Sequence, residues 1–129
     1  MGAGGAGLGY ANLPASVGLK IYLDHIGTDT ESTGLFTNGS APFVAAGSVP
    51  LASSGINLTS GDVMMMHLVY NGTTLTMTLT DTVTNVSFTH AFTVNIPSIV
   101  GSSTAYVGFT GASGGAGANQ QILSWSYSN

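Results

Sequence analysis

The chain has 129 residues, of which 43% are hydrophobic and only 5% charged, with a formal net charge of −4 and no cysteine. That length fits one domain, residues 1–129, with a core of its own. Lys20 is the single basic side chain. Nucleic-acid binding is thereby excluded, because nothing neutralises phosphates, and docking on an anionic membrane is disfavoured. Without cysteine there is neither a disulfide framework nor a thiolate metal site.

Residues 1–9 are a Gly/Ala-rich segment with no periodic signal. They lack the basic and apolar regions of a signal peptide, so an extracellular protein would have its leader absent from this chain. No run approaches the roughly 18 apolar residues of a membrane-spanning helix. A strand is expected at Ser16–Leu23, followed by a polar, acidic loop over Asp24–Glu31. Gly34–Thr37 reads as a short strand ending in the Asn38-Gly39 turn signal. Residues 40–62, with Pro42, Gly47, Pro50, Gly55 and Gly61, read as a loop-rich crossing with one short strand near Phe43–Ala46.

Val63–Tyr70 is apolar on both faces apart from His67, the pattern of a strand deep inside a two-layer core. Asn71-Gly72 supplies the residues of a type I′ hairpin turn. Thr74–Thr80 alternates strictly, with Leu75, Met77 and Leu79 on one side and threonines on the other, a half-buried strand at period two. After a turn at Asp81–Asn85, Val86, Phe88, His90, Phe92 and Val94 share one face of the next strand. Pro97–Ser103 reads as a connecting loop. Ala105–Thr110 and Gln121–Ser126 read as the last two strands, with Leu123, Trp125 and Tyr127 on one face. No segment carries a helical period, so the fold class is all-β, an antiparallel sandwich or jelly roll.

Three stretches carry a family resemblance. Gly4–Val17 runs from a glycine-rich loop through Pro14-Ala15-Ser16 into a strand. Tyr70–Leu79 is a central hairpin. Asn95–Tyr127 sets two strand patterns around the glycine loop Gly111–Gly117. In this order and spacing they resemble the C-terminal half of a legume-type (L-type) lectin domain, the bacterial variety in particular. The resemblance implies a shortened, concanavalin A-like sandwich that binds carbohydrate. It implies that the loop after Thr110 is one wall of a sugar site, with Ala112, Ser113, Gly114 and Gly115 as contact residues. The loop Gly4–Gly9 is the candidate opposite wall, with Gly7 as the weaker candidate contact.

The resemblance also marks departures. The family's two acidic metal ligands align with Lys20 and Tyr22, so the paired Ca²⁺ and transition-metal site is expected to be lost, and no cofactor is expected. The remaining metal alternative is Asp24, Asp29 and Glu31 with His25, hard oxygen ligands for Ca²⁺; their spacing fits no calcium loop, and a solvated acidic loop is the plainer reading. His67 and His90 read as interior histidines, Trp125 as a core aromatic, and Met64-Met65-Met66 as core packing. The Asn-x-Ser/Thr sequons at Asn38, Asn57, Asn71 and Asn85 arise readily in a threonine-rich chain.

Catalysis has no support. The related glycosidases need two carboxyl groups across a cleft, and their Glu-x-Asp-x-Glu strand pattern is absent. The expectation is a non-enzymatic, secreted or cell-surface, glycan-binding module. The alternative is a self-assembling subunit of an extracellular homo-oligomer or filament, since a shortened sandwich leaves sheet edges to cover and a nearly uncharged surface sets up no repulsion.

Overall fold

The computed structural model describes residues 2–23, 30–43, 45–115 and 117–128. Among these, six strands form two antiparallel three-stranded sheets. The first sheet is β1 (Val17–Tyr22), β2 (Ser32–Thr37) and β3 (Ser48–Pro50). The second is β4 (Met64–Tyr70), β5 (Thr74–Asp81) and β6 (Ser87–Thr93). Each sheet keeps sequence order, so every connection is a hairpin or a simple loop.

The two sheets form a β-sandwich. Alternation along β5 sends Leu75, Met77 and Leu79 inward, each less than a tenth exposed, and its threonines outward. Leu51, Ile56, Met77 and Leu79 form the core, with Leu19 and Ile21 of β1 and Phe88 and Phe92 of β6 packed on it. The Thr33 hydroxyl of β2 donates to Met77 Sδ at 3.5 Å, so the sheets meet at that methionine. On the opposite face of the second sheet, hydroxyls zip β5 to β6 through Thr78–Thr89 (3.0 Å) and Thr80–Ser87 (2.8 Å). Cross-strand hydroxyl pairs of this kind each add a fraction of a kcal/mol, roughly 0.2–1.

Several sequence expectations are corrected. β4 is not deep in the core: it is the edge of its sheet, and Met65, Met66, Leu68 and Val69 are all exposed. His67 is exposed with them, so it is no interior histidine. Met64 alone of the methionine run packs on the core. The short strand near Phe43–Ala46 forms instead at Ser48–Pro50, where it pairs with β2. In the β4–β5 turn only Gly72 has positive φ, at 97°. Gly72 is the first central residue, because the Asn71 N–H donates to the Thr74 carbonyl. That is the II′ pattern, not I′, with the Asn71 side chain accepting from the N–H groups of Thr73 and Thr74.

Residues 96–100 fold as a five-residue helix, α1 (Ile96–Val100), not a plain loop. Asn95 caps it by accepting from the Ser98 N–H, and Gly101 ends it at φ 74°. The expected last strands, 105–110 and 121–126, join no sheet, and their large apolar side chains are exposed. Trp125 is 57% exposed and meets only the edge of Phe109 among its aromatic contacts, so it is not a core residue. His90 does lie on the inner face, half-buried between Phe88 and Phe92.

The turn after β5 hangs on one carboxylate. Asp81 is 2% exposed, and its Oδ1 accepts from the N–H groups of Val83 (2.8 Å) and Thr84 (3.1 Å). The Thr84 and Val83 amides hold this carboxyl below its ordinary value against the opposing effect of burial. A depressed folded-state value means the stabilisation is present above the unfolded value, about 3.9, and is lost as pH falls through the folded one. Urea midpoints are therefore expected to fall below about pH 4, and the Asp81→Asn variant should show a shallower fall in that window.

Candidate functional site

The glycine loop that follows residue 110 borders a concavity of about 380 Å³ lined by Gly111, Ala112, Ser113, Ala118, Asn119 and Gln120. Two of the four expected contact residues, Ala112 and Ser113, line it. Gly114 and Gly115 lie beside it in the same loop, and a Cβ built on either meets nothing within 4 Å. These glycines leave open space rather than satisfying a packing constraint. Ala118, Asn119 and Gln120 were not anticipated; the signal was the amide run Asn119-Gln120-Gln121 directly after the glycines. Amide side chains donate and accept at once, as a hydroxyl ligand requires. Among the described residues no charged side chain lines the concavity.

The N-terminal glycine segment reaches the base of this loop. Residues 2–11 form a compact knot closed by Gly2 N to Gly9 O (3.0 Å), Ala3 N to Ala11 O (2.8 Å) and Gly9 N to Ala3 O (2.9 Å). Thr110 Oγ1 donates to the Leu8 carbonyl at 2.9 Å. A Cβ on Gly9, which has φ 70°, would stand 3.1 Å from Thr110 Cβ. The two glycine segments therefore adjoin, as the resemblance implies, but through Leu8 and Gly9. Gly7 is corrected: it is buried inside the knot, where an added Cβ would lie 3.1 Å from Ala11 Cβ and 3.2 Å from Ala3 Cβ. Its role is packing, and it offers no surface to a ligand.

The knot is held on the outer face of the first sheet. The Tyr10 ring covers Gly18, where an added Cβ would come within 2.6 Å of Cε2. The Tyr10 hydroxyl accepts from the Gly39 N–H at 3.2 Å. On the same face lies Lys20, only 5% exposed. Its Nζ donates to the Pro42 carbonyl (2.9 Å) and to Ser48 Oγ (2.6 Å). It also sits 4.9 Å from the Tyr22 ring centroid and 5.3 Å from that of Phe36. Strand β1 is thereby tied to the 38–47 loop and to β3.

These residues do not fit a divalent cation. At the position where the resemblance would put a metal ligand of the family, Lys20 presents a donor and a positive charge, and the ammonium already takes up the carbonyl and hydroxyl oxygens nearby. A second cation would meet repulsion there. Of the metal alternative, Asp24, His25 and Asp29 lie outside the described residues. Glu31 is half-buried, and its backbone carbonyl accepts from the Leu51 N–H at 3.0 Å. Among the described residues no three of His, Asp and Glu gather as a metal site.

The sequence pattern of the legume lectin domain matches residues 19–129, nearly the whole chain. The chain belongs to that family, whose members are carbohydrate-binding domains, in general non-enzymatic and typically extracellular or at the cell surface. No curated protein matches the sequence significantly. Among the described residues no helix is long and apolar enough to cross a membrane.

Proposed function

We propose that this is a non-enzymatic, metal-independent lectin domain that holds a neutral saccharide in the 111–120 concavity. The observation that carries the reading is the composition of that concavity: small residues that admit a ring, beside amide and hydroxyl groups that pair with sugar hydroxyls. Ser113, Asn119 and Gln120 orient the hydroxyls, Ala112 and Ala118 meet the apolar ring face, and Gly114 and Gly115 leave room for the rest. Anionic sugars are disfavoured, because the chain carries a net charge of −4 and its one cation is buried beneath the 38–47 loop. An extracellular or cell-surface setting follows the habit of the family.

Calorimetry with neutral mono- and oligosaccharides, with and without EDTA, tests this. Binding that survives chelation is expected. Asn119→Ala should weaken it about tenfold, the loss of one to two hydrogen bonds at about 1 kcal/mol each. Gly114→Val should abolish it while leaving the melting temperature unchanged, since the new side chain enters open space. No heat with any glycan, or heat that vanishes with EDTA, would refute the reading.

A further inference from the structure

Asparagine followed by glycine is a chemically vulnerable pair, because glycine has no Cβ to hinder attack of its own backbone nitrogen on the preceding side chain. The chain has two such pairs, Asn38-Gly39 and Asn71-Gly72. Each sits in a turn after a strand, with the asparagine exposed. Their surroundings differ in the features that govern this reaction.

At the first pair the attacking nitrogen is engaged. The Gly39 N–H donates to the Tyr10 hydroxyl at 3.2 Å. Gly39 itself is buried, and a Cβ built on it would overlap the Leu13 nitrogen. The backbone is held on both sides: the Asn38 N–H donates to the Ser16 carbonyl (2.7 Å), and the Asn12 N–H donates to the Gly39 carbonyl (2.8 Å). Gly39 N cannot turn onto the Asn38 side chain without breaking these bonds.

At the second pair the nitrogen is free. Among the described residues the Gly72 N–H donates no hydrogen bond, and nothing lies within 4 Å of a Cβ built on Gly72. The side chain under attack is polarised as well. Asn71 Oδ1 accepts from the N–H groups of Thr73 (3.0 Å) and Thr74 (2.8 Å) and from Thr73 Oγ1 (3.2 Å). Three donors on that oxygen draw electron density from Cγ. They also stabilise the negative charge the oxygen takes on as a nucleophile adds, as an oxyanion hole does.

We propose that Asn71 is a site of spontaneous covalent modification, and that the fold directs deamidation to this residue and away from Asn38. Gly72 N attacks Asn71 Cγ and gives up its proton to a solvent base. The Cγ–Nδ2 bond then breaks and the side-chain amide leaves as ammonia, which closes a five-membered succinimide. Water opens the ring at one of its two carbonyls. Opening at Cγ gives aspartate. Opening at the backbone carbonyl gives isoaspartate, whose main chain runs through Cβ and Cγ and is one atom longer. Water is the only co-reactant, and nothing is oxidised or reduced.

The two products affect the turn differently. Aspartate keeps the oxygen to which Thr73 and Thr74 donate. Isoaspartate displaces Gly72, whose carbonyl accepts from the Tyr70 hydroxyl at 2.6 Å. That hydroxyl also accepts from the Ile96 N–H (3.1 Å) and reaches the Val94 carbonyl (3.3 Å). The disturbance therefore passes from the hairpin tip to the end of β6 and the start of α1. This proposal stands independently of the sugar reading.

The purified chain is incubated at mildly alkaline pH, cleaved at aromatic residues and analysed by mass spectrometry. Phe36 and Phe43 bracket Asn38, and Tyr70 and Phe88 bracket Asn71, so the sites fall on separate peptides. Conversion replaces an amide NH2 by OH and adds one mass unit. In the folded chain Asn71 should convert at least about tenfold faster than Asn38, the factor that one retained hydrogen bond supplies. In urea the two rates should converge, because the bonds that distinguish the sites are gone. Tyr10→Phe removes the acceptor of the Gly39 N–H. It should raise the Asn38 rate several-fold in a chain that circular dichroism shows to be folded, and leave the Asn71 rate unchanged. Asn71→Asp should keep the parent urea midpoint, whereas the isoaspartyl fraction of an aged sample should unfold at lower urea. Equal rates at the two sites in the folded chain, faster conversion at Asn38, or conversion of Asn71 only after unfolding would overturn the proposal.

Discussion

Lys20→Met is expected to lower stability by about 3 kcal/mol, the loss of two charge-assisted hydrogen bonds in a buried setting. The methionine fills much the same volume, so the loss reports the ammonium and not a cavity. The Pro42 carbonyl loses this donor, and the tie from β1 to the 38–47 loop and β3 goes with it. Lys20→Glu should be worse: a carboxylate would be set among acceptor oxygens and aromatic faces, and no folded protein is expected at ambient temperature. Urea midpoints of the wild type and Lys20→Met, each with and without EDTA, make the measurement. The wild-type midpoint should not move on chelation. A midpoint that falls with EDTA, or a Lys20→Met variant as stable as the parent, would show that something other than this ammonium holds the face together.

The second large effect concerns the point where the sheets touch. Met77 is fully buried, and it accepts from the Thr33 hydroxyl of the opposite sheet. Met77→Ala is expected to cost about 3 kcal/mol, because the rigid layers on either side cannot collapse into the space. Met65→Ala, on the outward side of β4 with 56% exposure, should change stability by less than about 0.5 kcal/mol. Equal effects at the two positions would contradict the sandwich geometry.

Where alternation was strict, the sequence showed the fold directly. Thr74–Thr80 places three apolar residues on one side, and the structure buries those three. The inward face of β6 was legible for the same reason, and the turn at Asn38-Gly39 from its residue types, both of which take positive φ. β4 was misjudged because an unbroken apolar run states that a strand needs cover, not that its own chain provides it. The 105–110 and 121–126 segments show the same limit from the other side: their pattern is that of strands, but strand formation needs a neighbouring edge. α1 is too short for a periodic signal, although Asn95 followed by Pro97 is a helix start in miniature.

The site was half legible. The glycine loop stood out, but glycine is ambiguous. Gly114 and Gly115 keep space open, whereas Gly7 is there because Ala3 and Ala11 press against it. Only the packing separates the two cases. The amides Asn119 and Gln120 carry only a weak signal, a short polar run after the loop that solvation alone also accounts for.

The hydrogen bond from Thr110 to Leu8 has a consequence in time. It joins positions 102 residues apart, so the two glycine segments cannot meet until the intervening chain has been made. Local hairpins such as β4–β5–β6 close within microseconds, whereas a contact this distant in sequence carries one of the largest closure entropies in the molecule. The wall formed by the two glycine segments is thus among the last parts to assemble, well after the local hairpins are in place.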